Sequence, residues 1–526
     1  MHTPHSDRLE EIAAAMAEPG FYGPAAASIE VRETHISWVF LVDDRAFKLR
    51  KAVVFPFLDY GTAERRRHMC DEELRLGRRL APELYLGLRA VVARGAGFEL
   101  ADAGGEHACE HVVEMRRFDE AATLAARLAR DDVAEPAVRS LARHIAEFHA
   151  AAEPAPPGSF GPAQVAATVS ENFTTLLDFA DDIGDPRLAG AHRFAVAFLH
   201  GRHDQLAARA SRGMVRECHG DLRAEHVILE PDGVEIFDPV EFDPALRLID
   251  VSADLAFLVM ELGEAGRADL ATALVDEYRA AGGDDGGDAL LGFYAAYRAW
   301  VRAKVACLRA GELPGGNRRA ADLDHARSLA ELAERLSWRA RRPLVLVVCG
   351  AAATGKTRLA EELAAASGFT HISSDVVRKE LAGLAPQQHA PDTEYSEAAS
   401  LRTYAELGAR AADESVLGGA LVDATFRRRA HRDAFRAGYG AAAPAPLFVE
   451  CRAPATVVAE RSRRRELDPH RTSDATAEIA ARQLEEFEPL DEVEADLHVQ
   501  IRTDRDMRDT IDEVETTLDA RLARGG

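Results

Sequence analysis

An eight-residue run, GAAATGKT, carries the clearest chemical pattern of the chain. It matches G-x-x-x-x-G-K-[ST] without a mismatch, follows an apolar stretch typical of a strand and opens a stretch typical of a helix. Such a run curls so that successive backbone N–H groups face one concave spot, which attracts phosphate. We expect Lys356 to reach the β- and γ-phosphates of a nucleotide and the Thr357 hydroxyl to coordinate Mg²⁺. The run consists of Gly350, Ala351, Ala352, Ala353, Thr354, Gly355, Lys356 and Thr357.

Two aspartates follow the next apolar stretches of this half. Asp375 stands in HISSDVVRKELAG directly after the second predicted strand, and Asp423 ends the next one. The carboxyl ends of parallel strands line a common crevice. Asp375 could therefore accept the proton of an acceptor hydroxyl, while Arg378 and Asp423 could bind the acceptor. The alternative is structural, because an aspartate after a strand is about as often the N-cap of a helix.

The C-terminal half, about residues 343–524, resembles the P-loop kinases that include polynucleotide 5′-hydroxyl kinases, gluconate-type kinases, chloramphenicol phosphotransferase and zeta toxins. The matching stretches are GAAATGKT, SSDVVRKELAG, VDATFRRRAHR and RSRRRELDPHRTSDA. The resemblance implies ATP as the donor, Asp375 as the base, and Arg461 or Arg465 as lid arginines that neutralise the transferred phosphoryl group. It leaves the acceptor open between small molecules and nucleic-acid 5′ ends. The alternative to a lid is structural, because an arginine run such as RSRRRELD is usually a solvated face of a helix.

A second set of candidate residues lies in CHGDLRAEHVILEPDGVEIFDP, residues 218–239. Asp221 is placed to receive a hydroxyl proton, and Asp238 ends a short strand pattern where a metal-binding carboxylate is expected. Upstream, Lys48 in the strand pattern AFKLR could hold the α- and β-phosphates. Glu73 or Glu72 on the following helix pattern could pair with it. Each residue alone has a structural explanation, but their order and spacing indicate phosphoryl transfer.

A hinge is predicted in the stretch VVEMRRF, residues 112–118. It has the position and character of a segment whose backbone, at Glu114 and Met115, would hydrogen-bond the adenine of ATP.

The first part of the chain, about residues 28–335, resembles the aminoglycoside phosphotransferase family with its protein-kinase-like fold. The stretches LARHIAEFHA, HGDL and FDPVEFDPALRLIDVSADLAF carry this resemblance. The chain as a whole resembles the branch in which such a domain is fused to a P-loop kinase. The resemblance implies ATP and Mg²⁺ as cofactors, Asp221 as base, Asp238 as metal ligand and Lys48 as phosphate anchor. It also implies that Asp254 tethers the catalytic loop.

His226 departs from this pattern, because such a loop normally has an asparagine there. An amide supplies a hard oxygen to Mg²⁺, whereas imidazole offers nitrogen, which Mg²⁺ binds poorly. Either one metal ion suffices, or His226 binds a softer ion such as Mn²⁺, or His226 only orients Asp221. A further alternative is that the first domain binds nucleotide without turnover. The stretch HVIL could also be an ordinary strand with a half-buried histidine.

The elements that would position these residues divide the chain into two predicted domains. Residues 1–340 read as an α+β, protein-kinase-like bilobal fold, with a strand-rich lobe at about 28–115 and a helical lobe at about 120–335. Residues 341–526 read as an α/β P-loop domain with a parallel five-stranded sheet. The predicted strands are 344–348, 369–373, 419–423, 446–450 and 497–501.

Composition narrows the class of protein. A net charge of −24 over 526 residues argues against a nucleic-acid or membrane coat. The six cysteines form no C-x-x-C pair, which suits a reducing, cytoplasmic setting. The chain shows no signal peptide and no apolar run long enough for a membrane span. The oligomeric state cannot be predicted from these features.

The combined prediction is a bifunctional kinase with two ATP·Mg²⁺ sites, each acting on a hydroxyl group. A sugar, aminosugar or similar alcohol is expected as acceptor in the first domain, and a small molecule or a nucleic-acid 5′-hydroxyl in the second. The alternative is a regulatory or stress protein, in which the first domain senses nucleotide and controls one active P-loop kinase.

Overall fold

A computed structural model describes residues 4–23, 29–55, 58–95, 97–104, 107–156, 158, 160–231, 233–312, 316–341, 344–385, 388, 390–441, 445–466 and 476–524.

The helices and strands are numbered along the chain. The helices are α1 Pro4–Met16, α2 Ala63–Gly77, α3 Leu124–Ala129, α4 Glu135–Ala151, α5 Pro162–Leu176, α6 Ala180–Ile183, α7 Asp185–Gly201, α8 His203–Ser211, α9 Pro244–Arg247, α10 Val251–Glu264, α11 Ala268–Ala280, α12 Asp288–Glu312, α13 Asn317–Ala340, α14 Lys356–Ser367, α15 Ser374–Leu381, α16 Glu397–Leu417, α17 Arg429–Tyr439, α18 Ala455–Glu466, α19 Ala477–Glu485 and α20 Met507–Ala523. The strands are β1 Ile29–Glu33, β2 Ser37–Val42, β3 Arg45–Arg50, β4 Val54–Phe55, β5 Leu58–Asp59, β6 Tyr85–Arg94, β7 Gly97–Asp102, β8 Ala108–Arg116, β9 Val215–Glu217, β10 Val227–Glu230, β11 Gly233–Ile236, β12 Leu248–Asp250, β13 Leu344–Cys349, β14 Thr370–Ser373, β15 Gly419–Asp423, β16 Leu447–Arg452 and β17 His498–Arg502.

Contacts divide the chain into two compact units. The first comprises Met1–Gly161 and Ala207–Gly287, and the second comprises Pro162–Leu206 and Asp288–Gly526. The sequence-predicted boundary near residue 340 follows a change of pattern along the chain, and it remains a prediction. The contacts instead group helices α5–α7, α12 and α13 with the sheet that follows residue 340.

The first unit contains a six-stranded sheet in the order β1-β2-β3-β8-β6-β7, with antiparallel neighbours throughout. The predicted hairpin is confirmed, since β2 and β3 pair from Val42 and Arg45 outward across the Asp43–Asp44 turn. Asp43 has a φ of 49°, as a two-residue turn between twisted strands requires. One face of the sheet packs Phe40 and Leu49 against apolar residues of α1, including Ile12.

The helical part of the first unit is built around α10. Eleven of its fourteen residues are buried, so this helix forms the core rather than a surface layer. It packs on α11, which in turn packs on α4. The segment 218–226 runs past the start of α10 and leads into the short antiparallel pair β10–β11. This arrangement brings residues 218–239 onto a rigid base.

The second unit contains a parallel five-stranded sheet in the order β14-β15-β13-β16-β17. All five predicted strands are confirmed; β15 has the predicted ends, and the ends of the other four differ from the prediction by at most two residues. Strands β13 and β15 are buried along their whole length because helices cover both faces of the sheet. Leu359 and Val514 pack on one face, and Tyr404 and Phe435 pack on the other.

Helices from outside the predicted P-loop domain complete the second unit. Trp338 of α13 is fully buried in the same core cluster as Leu344 and Leu359. Arg341, just after α13, donates to Asp519 Oδ1 of α20 at 2.6 Å, and Arg193 of α7 pairs with the same carboxylate at 3.1 Å. Both interactions are within this unit and attach its helical layer to the sheet.

Across the part of the chain that the structure describes, no helix is both long and apolar enough to cross a membrane.

Candidate active sites

The first candidate site is centred on Lys48 of β3. Its Nζ donates to Glu73 Oε1 of α2 at 2.9 Å and to Asp238 Oδ1, after β11, at 2.7 Å. The structure thus selects Glu73 from the two predicted partners, whereas Glu72 pairs with Arg75. Three residues that are far apart in the sequence meet here because β3, α2 and the segment after β11 converge.

A buried network of ion pairs and hydrogen bonds adjoins Lys48 through Glu73. Arg50 Nη2 donates to Glu73 Oε2 at 2.5 Å and to Glu241 Oε1 at 2.8 Å, and the Tyr60 hydroxyl donates to the same Glu241 oxygen at 2.6 Å. Removing one member of such a buried pair typically destabilises a fold by about 3–5 kcal/mol. The network therefore fixes Glu73 in the rotamer that meets Lys48. Sequence reasoning missed Arg50 and Glu241, and only their position two or three residues from Lys48 and Asp238 hinted at them.

Electrostatics keep both partners of the Lys48–Asp238 pair ionised. Burial opposes the charge of Lys48, but Asp238 and Glu73 outweigh burial and raise the pKa of Lys48 well above its usual value. Burial likewise opposes ionisation of Asp238, and the charge of Lys48 outweighs it, so the pKa of Asp238 lies below its ordinary value. Asp238 has a φ of 60°, and its backbone N–H donates to the Tyr85 hydroxyl at 3.0 Å. Such a conformation in a non-glycine residue marks a locally strained, positioned side chain.

Asp254 holds the loop that contains Asp221. Its carboxylate accepts from the backbone N–H of His219 at 3.0 Å and of Gly220 at 2.9 Å. His149 Nε2 lies 3.2 Å from the same carboxylate. Burial would raise the pKa of Asp254, but the bonds from His149 and His219 outweigh burial and lower it. The tether predicted for Asp254 is confirmed.

His226 lies between the two carboxylates of this site. Its Nδ1 is 2.9 Å from the backbone oxygen of Asp221, so Nδ1 carries the proton and donates to that carbonyl. The other ring nitrogen, Nε2, lies 3.8 Å from Asp238 Oδ2 and 3.7 Å from Glu225 Oε1. The Asp221 carboxylate is 3.7 Å from Nδ1 and about one-third exposed. One hydrogen bond therefore ties the His226 ring to the Asp221 backbone, and in a neutral ring it would leave Nε2 as the nitrogen able to bind a metal ion.

The predicted hinge residues lie inside the sheet. Glu114 pairs with Phe47 of β3 and Met115 with Ala46, while β6 pairs with the other edge of β8. The Glu114 carboxylate also has two arginines within 4.0 Å. The connecting segment begins only after Arg116, so a backbone contact to adenine at Glu114 and Met115 stays a prediction that this register does not favour.

The second candidate site is the P-loop between β13 and α14. Gly350 has a φ of 140°, and a Cβ there would lie 2.6 Å from the Cys451 backbone oxygen. Gly355 has a φ of 96°, and Ala353 reaches a φ of 62° without being glycine. These positive φ values curl the backbone, and Lys356 and Thr357 then open α14. The local structure that the motif predicts is present.

Gln483 of α19 accepts a hydrogen bond from one backbone amide of the P-loop. The backbone N–H of Ala352 donates to Gln483 Oε1 at 2.9 Å. A side-chain carbonyl oxygen thus sits where a phosphate oxygen would accept. Nothing in the sequence pointed to Gln483, because it lies 131 positions from its partner and in no motif.

Thr357 and Asp375 line one cleft of about 490 Å³. His371, on β14, lines it too, and its Nε2 lies 3.9 Å from Asp423 Oδ2 at the end of β15. Asp423 is almost fully buried, and its Oδ1 has no hydrogen-bond partner among the described residues. A buried carboxylate oxygen without a donor suits a cation or a bound hydroxyl. His371 was missed in the sequence because a single histidine in a strand carries no pattern.

The predicted arginines Arg378 and Arg461 donate hydrogen bonds to backbone oxygens in this structure. Arg378 Nη1 donates to the Glu394 backbone oxygen at 2.6 Å, and its guanidinium lies 4.8 Å from the Tyr395 ring centroid. Arg461 donates to the backbone oxygens of Thr354, at 3.3 Å, and Thr503, at 2.5 Å. Arg461 thus braces the P-loop in this structure, and the side chain of Arg465 lies outside the described residues. Their roles in acceptor binding and in a lid remain predictions.

Comparison with known proteins gives two kinds of match. The family model AAA_33, an AAA domain, matches residues 345–490. Uncharacterized proteins of Mycobacterium tuberculosis and Mycobacterium bovis are each 36% identical to this chain over 359 residues, which is 67% of this chain and 68% of each relative.

Solved structures also superpose on parts of the chain. The crystal structure of a gluconokinase from Sinorhizobium meliloti 1021 is 24% identical with a TM-score of 0.26, over 34% of this chain and 94% of that one. The crystal structure of a choline/ethanolamine kinase family protein from Mesorhizobium loti is 13% identical with a TM-score of 0.36, over 62% of this chain and 93% of that one.

Proposed function

The chain belongs to the same family as the uncharacterized proteins of Mycobacterium tuberculosis and Mycobacterium bovis, and we propose that it transfers the γ-phosphoryl group of ATP to hydroxyl groups of small molecules at two sites, one in each unit. The observation that carries this proposal is the ion-paired Lys48–Glu73–Asp238 set in a chain that also folds a complete P-loop. Phosphoryl transfer needs mainly positioning and charge neutralisation, which both sets of side chains can supply.

In the first site, Asp221 takes the proton of the acceptor hydroxyl as the oxygen attacks phosphorus. Its partial exposure lets an acceptor reach it, and the Asp254 tether keeps its backbone in place. Lys48 holds the α- and β-phosphates, and Glu73 keeps its ammonium group aimed at them. Nucleotide binding must loosen the direct Lys48–Asp238 contact, since both groups are then needed by the phosphates and the metal ion.

The side chains around Asp238 suit a divalent cation. Asp238 Oδ2 and His226 Nε2 lie 3.8 Å apart, a separation that two ligands of one ion can have when the imidazole is neutral. A mixed oxygen and nitrogen set suits Mn²⁺ better than Mg²⁺. Such an ion, when bound, neutralises charge on the phosphate oxygens.

In the second site, the P-loop amides and Lys356 hold the β- and γ-phosphates. The Thr357 hydroxyl and the partnerless Asp423 oxygen would hold Mg²⁺, which adds to the acceptor-binding role first predicted for Asp423. Asp375, in the cleft beside Thr357, takes the proton of the acceptor hydroxyl. The acceptor is proposed to be a small molecule, because the strongly acidic chain disfavours a nucleic-acid partner.

Single-site variants of the full chain test the proposal. Asp221→Asn and Lys356→Ala would be compared with wild type for ATP consumption over sugars, aminoglycosides, small alcohols and 5′-hydroxyl oligonucleotides. Each variant should abolish turnover of one class of acceptor and leave the other, while the exposed control Asp132→Asn should change neither. If neither variant alters any turnover, the proposal is wrong.

His226, which stands where such a loop normally has an asparagine, supports a second candidate function. In it the first unit binds nucleotide without turnover and regulates the P-loop kinase of the second unit. If the first unit only senses nucleotide, Asp221→Asn will leave every turnover unchanged, whereas Lys356→Ala will remove all of it. Binding of a non-hydrolysable ATP analogue to the first unit should then persist in the Lys356→Ala protein.

A further inference from the structure

A cavity of about 270 Å³ lies within the second unit, away from the P-loop itself. Helices α7, α12, α13, α14 and α20 contribute to its wall. The contributing part of α14, Glu362–Ala366, lies two to three turns beyond Lys356. Neither candidate active site uses this cavity.

Aromatic rings form its inner wall. Phe194, Phe293 and Trp300 are almost fully buried and line the cavity together with Tyr297. Phe293 stacks on Phe198 at 4.4 Å, which fixes the orientation of its ring. A wall of held rings suits an apolar body of similar shape, and ring faces also attract cations.

Most charged side chains at this cavity are already paired. Arg187 Nε lies 2.9 Å from Glu334, and Arg341 Nη2 lies 2.6 Å from Asp519 with its guanidinium over the Phe194 ring at 4.5 Å. Asp512, which also lines the cavity, pairs with Arg193 at 2.9 Å. Arg187 and Arg341 are therefore already paired with acidic side chains.

Glu515 of α20 is the exception among the charged residues of the wall that are buried or half-buried. Glu362, Arg335 and Arg508 also line the cavity without an ion pair among the described residues, but their side chains are exposed. Glu515 lines the cavity, yet among the described residues its carboxylate receives no hydrogen bond and has no cation within 4.0 Å.

The Oε2 atom of Glu515 lies near Gly190 of α7. A Cβ built on Gly190 would be in van der Waals contact with this oxygen, at 3.9 Å. Burial raises the pKa of Glu515, and the charges of Arg341 and Arg193 do not offset this. The cavity therefore has a half-buried carboxyl group without an ion-pair partner, in a wall that also contains aromatic rings.

We propose that this cavity binds a small protonated amine with an aromatic or alicyclic body, its ammonium group paired with Glu515 and its ring against Tyr297 and Trp300. A primary ammonium would supply the donors that Glu515 lacks, and the ring would fill the apolar end. A neutral ligand would leave the carboxyl unpaired, and an anion would meet it directly. This site is independent of the proposed phosphoryl transfer.

Calorimetry on the full chain tests the proposal with matched pairs of probes. Phenethylamine, tryptamine and cyclohexylmethylamine would each be compared with the neutral alcohol of the same shape. At least one amine should bind about tenfold more tightly than its alcohol, as a charge-assisted bond predicts. Binding should change Trp fluorescence, since Trp300 lies in the wall.

Two variants assign the preference to Glu515. Glu515→Gln should remove the preference for the amine while leaving weak binding of the alcohol, and Asp509→Asn, an exposed acid on the same helix, should leave it unchanged. Without ligand, Glu515→Gln should unfold at the same temperature as wild type or higher, because no native partner is lost. If no amine binds at millimolar concentration, or if Glu515→Gln keeps the preference, the proposal is overturned.

Discussion

His226 Nε2 faces Asp238 Oδ2 at 3.8 Å, and the opposite ring nitrogen donates to the Asp221 backbone oxygen at 2.9 Å. A histidine in place of asparagine thus keeps a potential ligand atom near the carboxylate that is proposed to bind the metal ion. The substitution changes the type of that ligand atom from oxygen to nitrogen rather than removing it.

The first prediction concerns the metal preference of the first site. Wild-type turnover should be faster with Mn²⁺ than with Mg²⁺, and His226→Asn should keep or raise the rate with Mg²⁺ because the amide offers oxygen. Initial rates in each metal would be measured for both proteins, with the second site silenced by Lys356→Ala. A complete loss of turnover in His226→Asn would show that the imidazole is itself required.

The second prediction concerns the amide that Gln483 occupies. Gln483→Ala should raise the affinity of the P-loop for a non-hydrolysable ATP analogue by up to about tenfold, because the Ala352 N–H no longer has to exchange a protein partner. Gln483→Glu should lower that affinity, since a carboxylate would repel phosphate. Calorimetry would measure both, with the exposed Gln500→Ala as control. Weaker binding in Gln483→Ala would mean that Gln483 itself contacts the nucleotide.

The third prediction compares two glycines of the second unit. Gly350→Ala should lower the free energy of unfolding by at least about 2 kcal/mol, because its φ of 140° and the Cys451 oxygen at 2.6 Å both exclude a Cβ. Gly311→Ala, within α12 and with only ordinary contacts at 3.7 Å, should instead raise it by about 0.5–1 kcal/mol. Chemical denaturation would measure both. Equal effects would contradict the described P-loop backbone.

The fourth prediction concerns pH and His431. This residue stacks on Tyr404 at 4.4 Å, its Nδ1 has no partner among the described atoms, and burial lowers its pKa to about 4. The unfolded chain binds a proton here below about pH 6.5, but the folded chain does so only near pH 4. Stability should therefore fall as the pH drops from 6.5 to 4, by roughly 1–3 kcal/mol from this group.

His431→Phe tests this explanation. The variant keeps a ring against Tyr404 and loses the titrating nitrogen, so its unfolding free energy should fall less between pH 7 and pH 5 than that of wild type. The exposed His203→Phe serves as the control. An unchanged pH dependence in His431→Phe would exclude His431 as the source.

Local sequence determined the elements and most of their chemistry. The eight residues of the P-loop carry their own conformational requirement, because glycine stands at the two positions with the largest positive φ, Gly350 and Gly355, and Lys356 opens the helix. The buried strands β13, β15 and β16 are largely apolar runs in the sequence, and the Asp43–Asp44 hairpin has residues that suit such a turn. These features depend on neighbours in sequence, so spacing alone predicts them.

Only the tertiary structure decided which distant groups meet. Glu73 rather than Glu72 faces Lys48 because a buried network with Arg50 and Glu241 fixes one side of α2, and that network spans 190 positions of the chain. Gln483 on the P-loop and the unpaired Glu515 likewise have no sequence signal. Hydrogen bonds, ion pairs and burial act between atoms that packing brings together, and a pattern along the chain does not contain those distances.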